Sequence, residues 1–180
     1  IVLYSVAVGP ATAAALTTGR IDYAAVIGPA GADEIQTKYA NSFTQVTYAQ
    51  PVTHGMFINH ERGPLGDARV RRAISMVIDR CAIKKAIAPF LEVVVGGWVV
   101  ASDVANGPAY REATLNKKPG YSCPTSGADL AAAKQLLADA GFPNGQGFPK
   151  LDLMVRDVPF FVAPMAPTIQ AMMKQILNIQ

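Results

Sequence analysis

The chain has 180 residues, 51% of them hydrophobic and 16% charged, with a formal net charge of +3. This balance excludes an intrinsically disordered chain and supplies enough apolar surface for a sizeable core, in one large domain or two small ones. The mild positive excess is spread along the chain without a Lys/Arg block, which argues against a nucleic-acid partner, and no apolar run reaches the roughly 18 residues of a membrane-spanning helix.

The first sixty residues alternate between the two kinds of secondary structure. "IVLYSVAV" (1–8) reads as a strand and "PATAAALTTG" (10–19) as a short helix closed by Gly19. "RIDYAAVIG" (20–28) follows as a buried strand, "GPAG" (28–31) as a turn, and "ADEIQTKYA" (32–40) as a second helix. "SFTQVTYA" (42–49) and "THGMFINH" (53–60) read as two further strands separated by Pro51. Strands alternating with short helices predict an open α/β sheet. The start at Ile1, inside an apolar run, and the stop at "LNIQ" read as cuts from a longer chain, so the missing leader says nothing about compartment.

After "ERGPLG", the stretch "DARVRRAISMVIDRCAI" (67–83) opens a helix expected to run to about Ala88, before Pro89. At 100° per residue Val70, Ala73, Ile74, Val77, Ile78 and Cys81 fall within an arc of roughly 140°. Arg69, Arg71, Arg72, Ser75, Asp79 and Arg80 take the other side, with Met76 among them. The spacing therefore predicts a core-facing helix with a solvated back, not a cationic reading surface. Asp67 is the expected N-cap and forms an i,i+4 pair with Arg71. A long irregular stretch follows, from "FLEVVVGGWVVASDVANGPAY" to "NKKPGYSCPTSG". "ADLAAAKQLLADAG" (128–141) is a helix with Leu130, Ala133, Leu137 and Ala140 on one side and Gly141 at its end. "PKLDLMVRD" (149–157) reads as a strand, and "APTIQAMMKQILN" (166–178) as a final helix with Ile169, Met172, Met173 and Ile176 inward.

Reactive side chains do not gather into a catalytic constellation. His54 and His60 share a strand face but stand about 20 Å apart along it, too far to hold one ion. There is no G-x-S-x-G elbow, no H-E-x-x-H and no phosphate-binding loop, and "GPAG" lacks the third glycine of a dinucleotide fingerprint. Asp152 and Asp157 flank a strand without forming a carboxylate pair. Cys81 and Cys123 lack metal-site spacing. They could form a disulfide in an exported protein, or Cys81 could be a buried free thiol on its helix's apolar face.

The order of motifs is more specific than any one of them. "GRIDYA", then "FINHERGPLGDARVRRAISMVIDRCAI", then "DLAAAKQLLADAGFPNG", then "IQAMMKQILNI" resembles the peptide/nickel-type (family 5) solute-binding proteins of ABC importers. That family carries an N-x-x-x-x-P-x-x-D-x-R-V-R-x-A block ending in an Asp-Arg pair. Asn59, Pro64, Asp67, Arg69, Val70, Arg71, Ala73, Ile74, Asp79 and Arg80 occupy it here. Its second block, A-x-x-L-L-x-x-A-G-F-P-x-G, is met by Ala133, Leu136, Leu137, Ala140, Gly141, Phe142, Pro143 and Gly145. Two departures stand out: Asn178 replaces the usual glycine of the last block, and "CPTSGAD" replaces the usual Asp-Pro before the "AKQLL" helix.

The resemblance implies an α/β, periplasmic-binding-protein-like fold of two lobes. Residues 1–60 would be the end of lobe I, running β-α-β-α-β-β. Residues 61–180 would be the first part of lobe II, as helix, long loop, helix, strand, helix. It implies a noncatalytic receptor, in the periplasm or lipid-anchored on the outer face of the cytoplasmic membrane. Such a receptor delivers a peptide-like solute to an ABC permease, with no cofactor and no metal. The same receptor fold for a metal chelate or sugar oligomer, or a ligand-sensing domain of a transcription regulator, is the alternative. Ligand pockets at strand ends point to Gly28 and Pro29, to Trp98, and to Arg156 and Asp157. Here Arg156 would clamp a carboxylate and Asp157 would meet an ammonium. Exposed strand edges in a partial lobe favour a dimer.

Overall fold

A proline in the first turn sets up the first helix, because its fixed φ suits a helix and its missing N–H would be unpaired there anyway. In the computed structural model, which describes residues 9–24, 28–46, 55–87, 118–122, 124–156 and 163–180, α1 is Pro10–Thr17 and α2 is Gly28–Lys38. They are followed by α3 (Ala68–Val77), α4 (Arg80–Ile87), α5 (Gly127–Asp139) and α6 (Met165–Leu177), with short 3-10 turns at Gly63–Gly66 and Pro143–Gly145. The chain divides into two units, residues 1–48 and 49–180.

In the first unit α1 packs on α2, burying Ala13 and Leu16 with Ala32 and Ile35. Gly19 (φ 69°) ends α1 as expected. Its N–H donates to the Leu16 carbonyl and that of Arg20 to the Ala15 carbonyl, the two bonds of a Schellman stop. The second helix starts four residues earlier than its sequence pattern predicts. Gly28 and Pro29 form its first turn instead of closing a strand, which again places a proline where a helix tolerates it best.

The second unit is built around α3. Val70, Ala73 and Val77 have no exposed surface and Ile74 and Ile78 almost none, so the predicted apolar arc is the buried face. Each buried valine or isoleucine contributes about 1.5–3 kcal/mol. The same cluster takes Ala133 and Leu137 from α5, Ile169 and Leu177 from α6, and Ile179 beyond it. Leu130, Ala140, Met173 and Ile176 pack partly buried at its edge. Met76, assigned by its angle to the solvated side, is buried under Gly120, whose φ of 82° lets the backbone come in where a Cβ would strike the Met76 Cα.

The single helix expected over 67–88 is two. At Ile78 the backbone turns extended (ψ 99°). Asp79 restarts the chain as a cap, its carboxylate accepting from the Ala82 N–H at 2.9 Å and its carbonyl from Ile83 at 3.0 Å. A side-chain acceptor offered to free amides makes this break cheap. Asp67 caps α3 as predicted, accepting from the Arg69 N–H at 2.7 Å. Its ionic partner is Arg69 (2.6 Å) instead of Arg71. The Arg69 guanidinium already occupies both carboxylate oxygens, and the Arg71 side chain donates to the Leu65 and Gly66 carbonyls instead.

Hydrogen bonds from the Arg69 side chain hold the Asp67 carboxyl below the usual carboxylate range. A depressed acid stabilises the fold above its unfolded pKa and loses that contribution as pH falls through the folded pKa. Asp67→Asn keeps the cap but not the charge. The stability gap between wild type and Asp67→Asn should therefore narrow from about pH 6 to about pH 2.5 in urea titrations. A gap constant over that range would remove the charge from the account.

Two further helix ends match expectation. Gly141 (φ 97°) closes α5 with a second Schellman pair, Gly141 N–H to Ala138 O and Phe142 N–H to Leu137 O. Asn178 stands left-handed (φ 57°, ψ 31°) after α6, the conformation that glycine usually supplies at this point.

No β-ladder occurs among the described residues. The parts of the predicted strands that are described (20–24, 42–46, 55–60 and 149–156) are irregular and paired in no ladder. They carry the large exposed apolar side chains: Tyr23 (77%), Val46 (75%), Phe57 (97%) and Met154 (96%). One backbone bond, Leu151 N–H to Gln180 O at 2.8 Å, ties 151–156 to the residues after α6. Residues 1–8 lie outside the described residues.

Candidate functional site

The arginines that make the long motif distinctive are spent on the fold. Arg69 reaches the Asp139 carbonyl at 2.7 Å, placing a cation on the unpaired carbonyl end of α5. Arg80 is the centre of a larger node. Its Nη1 donates to the carbonyls of Gly120 (2.6 Å), Ile78 (3.2 Å) and Ser75 (3.4 Å), and its Nη2 to the Ser75 hydroxyl (3.3 Å). The guanidinium also lies 4.6 Å from the centroid of the Tyr121 ring. Burial pushes its pKa down, opposed by Tyr121 and Asp79. A planar fork can serve several carbonyls and an aromatic face at once, which a lysine ammonium cannot.

Next to this node, the Asp79 carboxylate accepts from the Thr125 N–H at 3.4 Å. Ser122 donates to Asp129 at 2.9 Å, and Ser126 caps α5 by accepting from the Asp129 N–H at 3.1 Å. For Asp129 burial favours the neutral acid. The Gly120 amide and the Ser122 and Ser126 hydroxyls outweigh it and hold the pKa below the usual range. Residues 118–122 and 124–126 are thereby laid against the α3–α4 junction and the start of α5.

Between this strip, α3 and α5 opens a shallow cavity of about 480 Å³ lined by Arg72, Met76, Pro119, Asp129, Ala132 and Leu136. Its walls are apolar, and Asp129 at the rim is already engaged by the strip. The cavity is thus lined by residues that dock the strip onto the helices.

Of the predicted ligand-binding residues, Gly28, Pro29 and Arg156 fall among the described residues. Gly28 and Pro29 open α2 in the first unit. Arg156 is exposed at the end of 151–156 in the second. Trp98, Asp157 and His54 lie outside the described residues, and His60 is exposed. No group of three or more metal-ligating side chains occurs among the described residues. Cys81 is disulfide-bonded, and the chain has one other cysteine, Cys123, outside the described residues. The open alternative between a thiol and a bridge at Cys81 is thus decided for the bridge.

Sequence reading missed the Arg80–Gly120–Tyr121 node because its partners stand forty residues from Arg80. The Asp-Arg pair was visible only as part of a motif. The Ser126-x-x-Asp129 spacing is a capping signal that could have moved the start of α5 back by a residue. A family model for bacterial extracellular solute-binding proteins, family 5 middle, matches residues 1–180. No curated protein and no solved structure matches.

Proposed function

The chain belongs to the bacterial extracellular solute-binding proteins of family 5, and from that premise we propose that it captures a peptide-like solute between two lobes and hands it to an ABC permease. Membership places it outside the cytoplasm, as the binding component of an importer. The observation that carries the reading is the family match over the whole of 1–180. The structure supports it in one respect. The charged residues of the motif blocks that it describes, Asp67, Arg69, Arg71, Asp79 and Arg80, serve helix caps and carbonyls. Recognition then falls to other residues.

In this proposal residues 1–60 belong to one lobe and 61–180 to the other, with ligand contacts at strand ends: Gly28 and Pro29, Trp98, Arg156 and Asp157. The solute bridges the lobes and stabilises the closed form, which the permease recognises. The protein binds its solute unchanged. The exposed Arg156 would receive the peptide's terminal carboxylate and Asp157 its ammonium partner.

A thermal-shift series on the full gene product tests this. A peptide at a hundred times its dissociation constant adds about 2.7 kcal/mol, a visible rise in Tm. Amidating the peptide carboxylate, or Arg156→Ala, should each weaken binding about 10- to 100-fold, as loss of a charge-assisted bond does. The two changes should not add, since both remove the same contact. A shift with metal chelates or oligosaccharides and none with peptides would discard the peptide assignment. Equal affinity for free and amidated peptides would discard Arg156.

A further inference from the structure

We propose that the segment 151–156 is a docking edge for a second copy of this chain, the two segments pairing antiparallel about Met154. Leu151 packs against the core, and its N–H donates to the Gln180 carbonyl at 2.8 Å. Beyond it the backbone groups of 152–156 make no hydrogen bond among the described residues, and their side chains are exposed. Successive residues of a strand turn their backbone groups to opposite edges. With Leu151 bonded on the α6 side, Asp152, Met154 and Arg156 fall on the free edge when the segment extends.

This edge is self-complementary in sequence. In an antiparallel pair centred on Met154, Asp152 of each copy stands directly opposite Arg156 of the other, and Leu153 opposite Val155. The centre is then apolar, Met154 against Met154, with an ion pair on either side of it. Met154 is almost fully exposed, a large apolar side chain that such a centre covers. The Asp152 carboxylate has a loose partner in Lys150, at 3.7 Å with both side chains in water. Arg156 has no ionic partner among the described residues. Both charges are therefore available to a second copy. Shifting the register by two residues one way sets Arg156 against Lys150, and the other way against Met154, so the ion pairs fix the alignment. A two-fold axis through the Met154 pair makes each remaining contact twice. The paired edge uses Arg156, as the peptide reading does, but rests on no part of that reading.

Sedimentation velocity of the full gene product without peptide tests it. The wild type should show a monomer–dimer equilibrium that weakens as salt rises. Asp152→Arg and Arg156→Asp each set like charges opposite one another and should weaken pairing about tenfold or more. The double variant restores both ion pairs with their signs exchanged and should pair as the wild type does. An equimolar mixture of the two single variants should give a mixed dimer, since the arginines of one then face the aspartates of the other. Met154→Pro removes an N–H from the free edge without touching the core and should abolish pairing. A wild type that stays monomeric at every concentration would overturn the proposal. So would single reversals that pair as well as the wild type, or a double variant that does not recover. None of these results bears on whether peptides bind.

Discussion

Replacing Leu137 with alanine is expected to destabilise the second unit by about 3 kcal/mol, in the range of buried Leu→Ala changes. Leu137 is 1% exposed in a cluster with Val70, Ala73 and Ile169, so three helices meet on it. Its carbonyl is also an acceptor in the Schellman stop of α5, since the Phe142 N–H donates to its oxygen. The ring of Phe142 stands 4.9 Å from that of Phe148 in an edge contact. Removing the side chain therefore leaves a cavity between rigid neighbours that cannot close on it. Urea unfolding should show a lower midpoint with an unchanged slope. Leu136→Ala is the control: one residue along, half-buried against the cavity beside α3, it should cost well under half as much. Equal costs at 136 and 137 would mean that the face assigned to the core is wrong.

Leu137 also shows what was legible in the sequence. Its burial, like that of Val70, Ala73, Ile74 and Val77, follows from a period of 3.6 residues and requires no knowledge of what lies opposite. The ends at Gly19, Gly141 and Asn178 were legible for a similar reason, because a left-handed residue is a local requirement met by few side chains. Asp67 as a cap belongs to the same class.

What was not legible depended on distant chain. Met76 is buried because Gly120 lies on it, and helical angle alone puts it on the wrong side. The break at Ile78–Asp79 competes with a continuing helix at small cost either way, and the nearby contacts of Arg80 to Gly120 and Tyr121 decide it. Strand formation is the extreme case. A β pattern states that a segment fits a pleated surface, while a strand exists only once another segment pairs with it. In 55–60 and 151–156 the strand-like apolar runs are present and the pairing is absent among the described residues, with Phe57 and Met154 almost fully exposed. For the candidate site, the family blocks led to its scaffold. The residues proposed to meet ligand, Gly28, Pro29, Trp98, Arg156 and Asp157, lie outside those blocks, so motif order names a receptor without placing its contacts.

Gly145→Ala should cost about 2–4 kcal/mol, and the comparison with Gly147→Ala shows why. Both glycines are left-handed, at φ 73° and φ 74°. An alanine at either pays the strain of that conformation, about 1–2 kcal/mol. At Gly147 a Cβ would meet nothing within 4 Å. At Gly145 it would collide with the carbonyl oxygens of Leu177 and Asn178, backbone atoms that cannot rotate away. The difference between the two variants, about 1–3 kcal/mol, is then the steric part alone. These carbonyls belong to the end of α6, where Asn178 donates through Nδ2 to the Asn144 carbonyl at 3.2 Å. Two residues later Gln180 accepts from Leu151, the first residue of the segment that ends in Arg156. Moving the end of α6 thus moves the backbone bond that, with the packing of Leu151 on the core, anchors that segment. If Arg156 receives the peptide carboxylate, Gly145→Ala should weaken the binding of free peptides more than that of amidated ones, and Gly147→Ala should weaken neither. Equal destabilisation by the two substitutions would show that the close approach at Gly145 is relaxed without cost. The route from α6 to Arg156 would then lose its basis.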